Sequence, residues 1–348
     1  MDAQNIRLTT LSHGGGCGCK IAPAVLSEML SALPTGLLDP NLLVGRESGD
    51  DAAVYKINDT QAIVATTDFF MPIVDDAFDF GRIAATNALS DVYAVGGKPF
   101  MALALVGMPL DKLPLEQMQQ ILAGGTDVCQ SIGIMVGGGH SIDAPEPIYG
   151  LVALGLVDPN KIKRNDTAQE GDVLILGKPL GVGILSAALQ KGELDKAGYA
   201  EMIAATTKLN TVGANLAELE TVHALTDVTG FGLMGHLLEM CRGSNMGASV
   251  NFADLPLLPT AQKLAEAGFN TGAAARNWAS YGHEVNEPEG LPAWQHNLMV
   301  DPQTSGGLLA ACAPEAAAKV LDLFRAQGFG DAAIIGTMQN GTPTVKVN

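Results

Sequence analysis

Apolar periodicity stops between residues 158 and 171 and resumes beyond them, and this break limits the possible folds more than any other feature of the chain. The stretch is rich in Asn, Asp, Lys and Gln and has no apolar face, the composition of a connection rather than a packed element. Before it, 52–57 and 61–67 read as strands and 79–94 as a helix with Ile83, Ala84, Ala88 and Tyr93 on its apolar face. A strand at 100–107, a helix at 114–132 and strands at 134–137 and 148–156 follow. After the break, strands are predicted at 172–177, 247–252, 308–312 and 332–338, and helices at 183–190, 196–206, 210–220 and 231–242. This alternation predicts an α/β (α+β) fold in two domains, 48–157 and 172–348, joined by 158–171 and preceded by a segment 1–47. The strands at 52–57, 61–67 and 100–107 carry apolar residues on both faces. One domain of this size would not bury them all, so a homodimer interface is expected in the first domain.

Composition narrows the function. The net charge is −17, from 20 basic and 37 acidic residues, which argues against a general nucleic-acid binder. No apolar stretch is long enough to span a bilayer, and the first residues, Met1 to Asn5, have neither a basic region nor an apolar core. Five cysteines in 348 residues do not make a disulfide framework. A cytoplasmic protein with reduced thiols is expected, without a membrane or nucleic-acid partner.

The segment His13-Gly-Gly-Gly-Cys17-Gly-Cys19-Lys20 sets two thiols and a cation among four glycines. Glycine loses the most entropy when fixed, so a mobile arm is expected rather than a packed one. A thiol reacts as its thiolate, which a neighbouring Lys⁺ favours. The arm therefore reads as a lid that carries chemistry to a site elsewhere. Cys17 and Cys19 lack the further ligands that a structural zinc site needs, and Cys129, Cys241 and Cys312 lie in apolar settings that suit small core residues.

Asp50, Asp51, Asp68, Asp91 and Asp227 each stand beside Thr, Ser, Asn or Gly where a strand ends or a helix turns. Such oxygen donors suit Mg²⁺, which combines a few carboxylates with substrate phosphates. Any one of these aspartates also reads as a cap or a turn former. Gly137-Gly138-Gly139-His140-Ser141 could expose backbone N–H groups to phosphate, or simply turn the chain. Gly230-Phe-Gly232-Leu-Met-Gly235, with Asp254 beyond it, matches a dinucleotide-binding fingerprint. The preceding 223–229 carries His, two Thr and an Asp, a poor composition for a buried parallel strand.

Together, His13–Lys20, Asp50–Val54, Thr66–Val74, Phe80–Asn87, Gly138–Asp143, Thr226–Gly232 and Asp301–Gly307 closely resemble motifs of the bacterial selenophosphate synthetases (selenide, water dikinases) in seven places, nearly end to end. The glycine-rich Cys/Lys arm separates that family from its relatives of similar fold, aminoimidazole ribonucleotide synthetase and thiamine-monophosphate kinase. The resemblance implies the aminoimidazole ribonucleotide synthetase-like fold. It also implies conversion of ATP, selenide and water to selenophosphate, AMP and orthophosphate, selenophosphate being the selenium donor for selenocysteine and selenouridine. ATP would lie between the domains with Mg²⁺, and the sequence leaves open whether a monovalent cation joins it. By the same resemblance, Cys17 is the catalytic thiol that holds or delivers selenium, and Lys20 is the cation that reaches the phosphates. Asp51, Asp91 and Asp227 are metal ligands, with Asp91 also close to the nucleotide. Asp68 contacts the nucleotide and is a further candidate ligand. Ser48, Gly49 and Asp50 form an ATP-contacting loop, and Gly139, His140 and Ser141 reach ATP in the partner subunit. Residues 301–307 are expected to turn beside the cleft. The alternatives are a small-molecule kinase or ATP-dependent ligase of the same fold, a dehydrogenase using the 230–235 fingerprint, and a thiol or metal carrier that binds no nucleotide.

Overall fold

Each half of the chain builds its own sheet. The computed structural model describes residues 6–21, 25–26, 28–29, 39–45 and 50–348; Ser48 and Gly49 of the expected ATP-contacting loop lie outside them. The first domain runs β1 (Leu42–Val44), β2 (Ala53–Asn58), β3 (Gln61–Phe70), α1 (Ala77–Ala94), β4 (Lys98–Met108), α2 (Leu115–Ser131), β5 (Met135–Asp143) and β6 (Ile148–Val157). Its sheet has the order β1-β2-β3-β6-β4-β5, antiparallel except for the β4–β5 pair.

The second domain begins with β7 (Val173–Leu176), α3 (Val182–Gln190), α4 (Lys196–Thr206), α5 (Gly213–Leu216), β8 (Val222–Asp227), α6 (Gly232–Ser244) and β9 (Gly247–Val250). It continues through α7 (Pro259–Glu266), α8 (Gly272–Tyr281), β10 (Val285–Asn286), α9 (Ala293–Val300), β11 (Leu308–Cys312), α10 (Ala317–Ala326), β12 (Ala333–Gln339) and β13 (Val345–Val347). Its seven strands lie in the order β10-β13-β9-β12-β7-β11-β8.

The α1 helix is the pivot. It starts at Asp76, whose side chain accepts from the Asp79 N–H, a carboxylate cap that satisfies an otherwise orphaned donor. It packs on α2, β3 and β6 of its own domain and on β8 of the other. Its first turn is half-buried, and every residue from Ile83 to Val95 is buried. Its polar residues Thr86, Asn87, Ser90 and Asp91 are therefore inside the molecule, where each needs a partner.

Two expected elements differ, and a strand forms where none is expected. The helix predicted over 210–220 shrinks to one turn at α5, and Asn210, ahead of it, aims its amide N–H groups at Ser90 Oγ and the Gly306 carbonyl, each at 2.8 Å. The glycine run 137–139 is not a turn: it continues β5, paired in parallel with β4. Residues 222–227 do form a strand, but β8 is the sheet's edge and pairs antiparallel with β11. The 230–235 fingerprint thus lacks the parallel strand a dinucleotide fold requires, and the dehydrogenase alternative falls. Among the described residues, no helix is long and apolar enough to cross a membrane. Cys129, Cys241 and Cys312 are buried and free.

Candidate active site between the domains

Three carboxylates from three elements meet where α1 faces β8. Asp227 ends β8, Asp91 lies in the last turn of α1, and Asp51 just precedes β2. Each takes one hydroxyl from a different part of the chain. Thr66 donates to Asp91, Ser90 to Asp227, and Thr226 to Asp51 at 3.0 Å. The last two bonds cross from one domain to the other.

Burial raises the pKa of all three, and carries Asp51 and Asp91 well above the ordinary carboxylate value. For Asp51, repulsion from Asp227, Asp50 and Asp91 adds to it, and for Asp91 repulsion from Asp227 and Asp68 does the same. In Asp227 the Ser90 bond works against burial without cancelling it. Asp50 is pushed up to about 6, chiefly by burial, against backbone hydrogen bonds from Asp51 and Asn165. Among the described residues, Asp51 Oδ2 is buried with no hydrogen-bond partner. A buried oxygen left unpaired is costly, so this donor set fits a cation. Among the described residues no three metal-ligating side chains are already gathered as a cage.

The glycine arm closes this cleft. Gly16-Cys17-Gly18-Cys19 forms a single tight turn, in which the Lys20 N–H returns to the Cys17 carbonyl. The Gly16 N–H donates to the Met71 carbonyl at 2.9 Å, and Arg276 on α8 donates to the Gly18 carbonyl at 2.9 Å. Both domains therefore hold the arm. Gly16 has φ 55°, a conformation glycine adopts without steric cost. The expected loose segment is packed here: Cys17 is only 1 % exposed.

Lys20 Nζ stands 3.3 Å from both carboxylate oxygens of Asp68. Burial opposes the lysine's charge, but Asp68, Cys17, Asp91 and Asp227 outweigh it and hold its pKa above the ordinary value. The Cys17 thiol donates to Asn87 Oδ1 at 3.2 Å. Burial pushes its pKa well up, and the nearby Lys20 charge offsets only part of that. A thiolate is therefore disfavoured in the closed arm. Cys19 turns the other way and donates to the Gly16 carbonyl at 2.9 Å.

Cys17, Lys20, Asp51, Asp68, Asp91 and Asp227 thus gather in one cleft, with Asp50 hydrogen-bonded to the Asp51 N–H at its margin. Gly139, His140 and Ser141 do not join them. They lie exposed on β5, three strand positions from the strand of Asp68, or about 14 Å at ordinary strand spacing. Asn87 does not stand out in the sequence, although a signal is present there. It precedes Asp91 by four residues on one helix, so both face the same way.

Comparisons with known proteins place this geometry in a family. Residues 49–157 match the N-terminal domain of AIR synthase related proteins, and 169–348 match the C-terminal domain. A selenide, water dikinase of Paraburkholderia xenovorans (strain LB400) is 65 % identical over 341 residues, covering 98 % of this chain and 96 % of that one. One from Dechloromonas aromatica (strain RCB) is 60 % identical over 347 residues, covering all of both chains. The crystal structure of thiamine-monophosphate kinase from Stenotrophomonas maltophilia K279a aligns with a TM-score of 0.65 at 20 % identity, over 93 % of this chain and 94 % of that one, a likeness of fold.

Proposed function

The chain belongs to the selenide, water dikinase family, and on that premise we propose that it turns ATP, selenide and water into selenophosphate, AMP and orthophosphate in the cleft that the Cys17–Lys20 arm closes. The observation that carries this reading is the position of the Lys20–Asp68 pair, which sets a cation under a closed arm and beside three buried carboxylates.

At an effective dielectric of 20, two unit charges about 4 Å apart interact by about 4 kcal/mol. Asp51, Asp91 and Asp227 alone would repel a triphosphate. Mg²⁺ held by these residues supplies the charge neutralisation that phosphoryl transfer needs. Lys20 adds to that neutralisation by exchanging Asp68 for the transferred phosphate. The seated arm excludes water from the first transfer, and water must enter for the second. Cys17 keeps its proton when buried, so it is poorly suited to act as a base. It holds the selenium anion by hydrogen bonding through its S–H, with no change in its own oxidation state.

The protein works as a homodimer in a reducing cytoplasm. Phe70 packs inward against Phe80 with ring centroids 6.1 Å apart. Its neighbour Phe69 points to the sheet's other face and is 51 % exposed, alongside Met135 at 68 % and Ile142 at 58 % on β5. A second copy covering this face would also meet His140 on the edge strand. That arrangement supports the reading of 139–141 as reaching the partner's nucleotide.

The product nucleotide tests the reaction. Incubation with ATP, Mg²⁺ and selenide under anaerobic conditions should yield AMP. ADP as the end product would favour the small-molecule kinase instead.

A further inference from the structure

The segment Asp301-Pro-Gln-Thr-Ser-Gly-Gly307 has no part in the chemistry above, yet it is buried throughout. Asp301 and Gln303 face away from the cleft. Asp301 Oδ2 accepts from the Gly183 and Ile184 N–H groups, and Gln303 Oε1 from those of Gly181 and Val182. These bonds anchor the segment to the start of α3. The next two residues face the arm. Thr304 Oγ1 accepts from the Cys17 N–H at 3.0 Å. The Ser305 N–H donates to Asn87 Oδ1 at 2.7 Å, the same oxygen that takes the Cys17 thiol.

The orientation of Asn87 is dictated by its neighbours. A backbone N–H can only donate, so the amide oxygen faces Ser305, and the amide N–H₂ then faces Asp68 and donates to it. Asn87 therefore joins the thiol on one side to the carboxylate that pairs with Lys20 on the other. Ser305 has φ 51°, which a side-chain-bearing residue adopts only where its surroundings hold it. Lys178 Nζ donates to its carbonyl at 2.7 Å, and its hydroxyl donates to the Ile83 carbonyl at 3.1 Å. The turn is held from behind and presents fixed partners to the arm.

We propose that Thr304, Ser305 and Asn87 form the seat of the glycine arm, with Thr304 and Asn87 as positioning residues that fix Cys17 over the cleft. This rests on the reading of the arm as the carrier of the catalytic thiol. Removing the Thr304 hydroxyl leaves the Cys17 N–H without its acceptor inside a closed site, so the arm should spend more time open.

Alkylation of the full-length, ligand-free protein by iodoacetamide, mapped residue by residue by mass spectrometry, reads the seat directly. Thr304→Val keeps the side-chain shape, and an unpaired buried donor costs about 1.4 kcal/mol or more, so Cys17 should react about tenfold faster. Thr304→Ser should restore the parent rate, and Asn87→Ser should accelerate Cys17 as Thr304→Val does. Cys129, Cys241 and Cys312 are core residues; they should stay protected, which separates an open arm from an unfolded chain. In turnover, Thr304→Val should lower kcat and leave KM for ATP unchanged. Parent-like Cys17 alkylation in both Thr304→Val and Asn87→Ser overturns the seat. A parent protein that makes no AMP would overturn the dikinase reading instead, and leave the alkylation result standing.

Discussion

A Cβ atom added to Gly230 would stand 2.7 Å from the carbonyl oxygen of Cys17. Gly230 is the first residue of the fingerprint that looks like a dinucleotide loop, and its missing side chain makes room for the arm. Gly230→Ala should displace the turn at Cys17 without disturbing either domain. The expected result is a folded protein with faster Cys17 alkylation and a turnover reduced by about tenfold or more, since small misplacements of reacting groups are costly. Unchanged turnover would show that the arm need not seat at this point.

The arm itself separates its two thiols. Cys17 faces Asn87, while Cys19 is tied within its own turn to Gly16. Cys17→Ser should therefore retain nucleotide binding and lose selenophosphate formation, and Cys19→Ser should be milder. Equal activities in the two variants, assayed with selenide under reducing conditions, would withdraw the assignment of Cys17.

Lys20 offers a charge test beside it. Lys20→Gln removes the cation from a closed site and should cost about 10²–10³ in kcat. Lys20→Arg should recover only part, because a planar fork presents its charge differently from an ammonium. Full activity of Lys20→Gln would remove the lysine from the phosphate chemistry.

Much of this site is legible in the sequence because its chemistry is concentrated in short motifs. The arm, Asp51, Asp68, Asp91 and Asp227 stand out in local context only as candidates, to which the family resemblance gives roles, and the strands around them follow from alternation. The seat is not legible. Thr304 and Cys17 are 287 residues apart in the chain, and Ser305 and Asn87 are 218 apart, so only the folded backbone brings them together. The His, Thr and Asp of β8 argue in sequence against a buried parallel strand. The strand tolerates them because it lies at the sheet's edge and its last residues serve the cleft: Thr226 reaches Asp51, and Asp227 takes Ser90. The packing of the arm escapes sequence reading for a related reason. Glycine's entropy cost is real, but hydrogen bonds to the Met71 backbone and to the Arg276 and Thr304 side chains hold the arm to both domains.

The carboxylate cluster should show opposite effects on stability and on function. Burial and mutual repulsion raise the pKa values of Asp51 and Asp91 above their unfolded values. Such groups contribute stability below the ordinary carboxylate pKa, and that contribution is lost as pH rises through the folded pKa. At neutral pH, without divalent ions, Asp51→Asn and Asp91→Asn should melt at a higher temperature than the parent while losing most of their turnover. Asp227→Asn should lose turnover likewise. Near-normal activity in all three variants at limiting Mg²⁺ would dissolve the proposed cluster.

The exposed sheet face of the first domain makes a prediction about assembly. Sedimentation equilibrium at micromolar concentration should give a dimer, and Phe69→Glu should shift it toward monomer, since a buried charge without a partner is strongly unfavourable. A fully active parent monomer at that concentration would rule the interface out.

Phosphorus NMR of the full-length protein with ATP, Mg²⁺ and selenide, under anaerobic and reducing conditions, follows every phosphate in the proposed reaction at once. AMP, orthophosphate and selenophosphate should appear in equal amounts, with no lasting ADP and with selenophosphate absent when selenide is withheld. Accumulation of ADP beside a different phosphorylated product, or AMP and orthophosphate with no phosphorus–selenium species, would contradict the assignment of the cleft to selenophosphate synthesis.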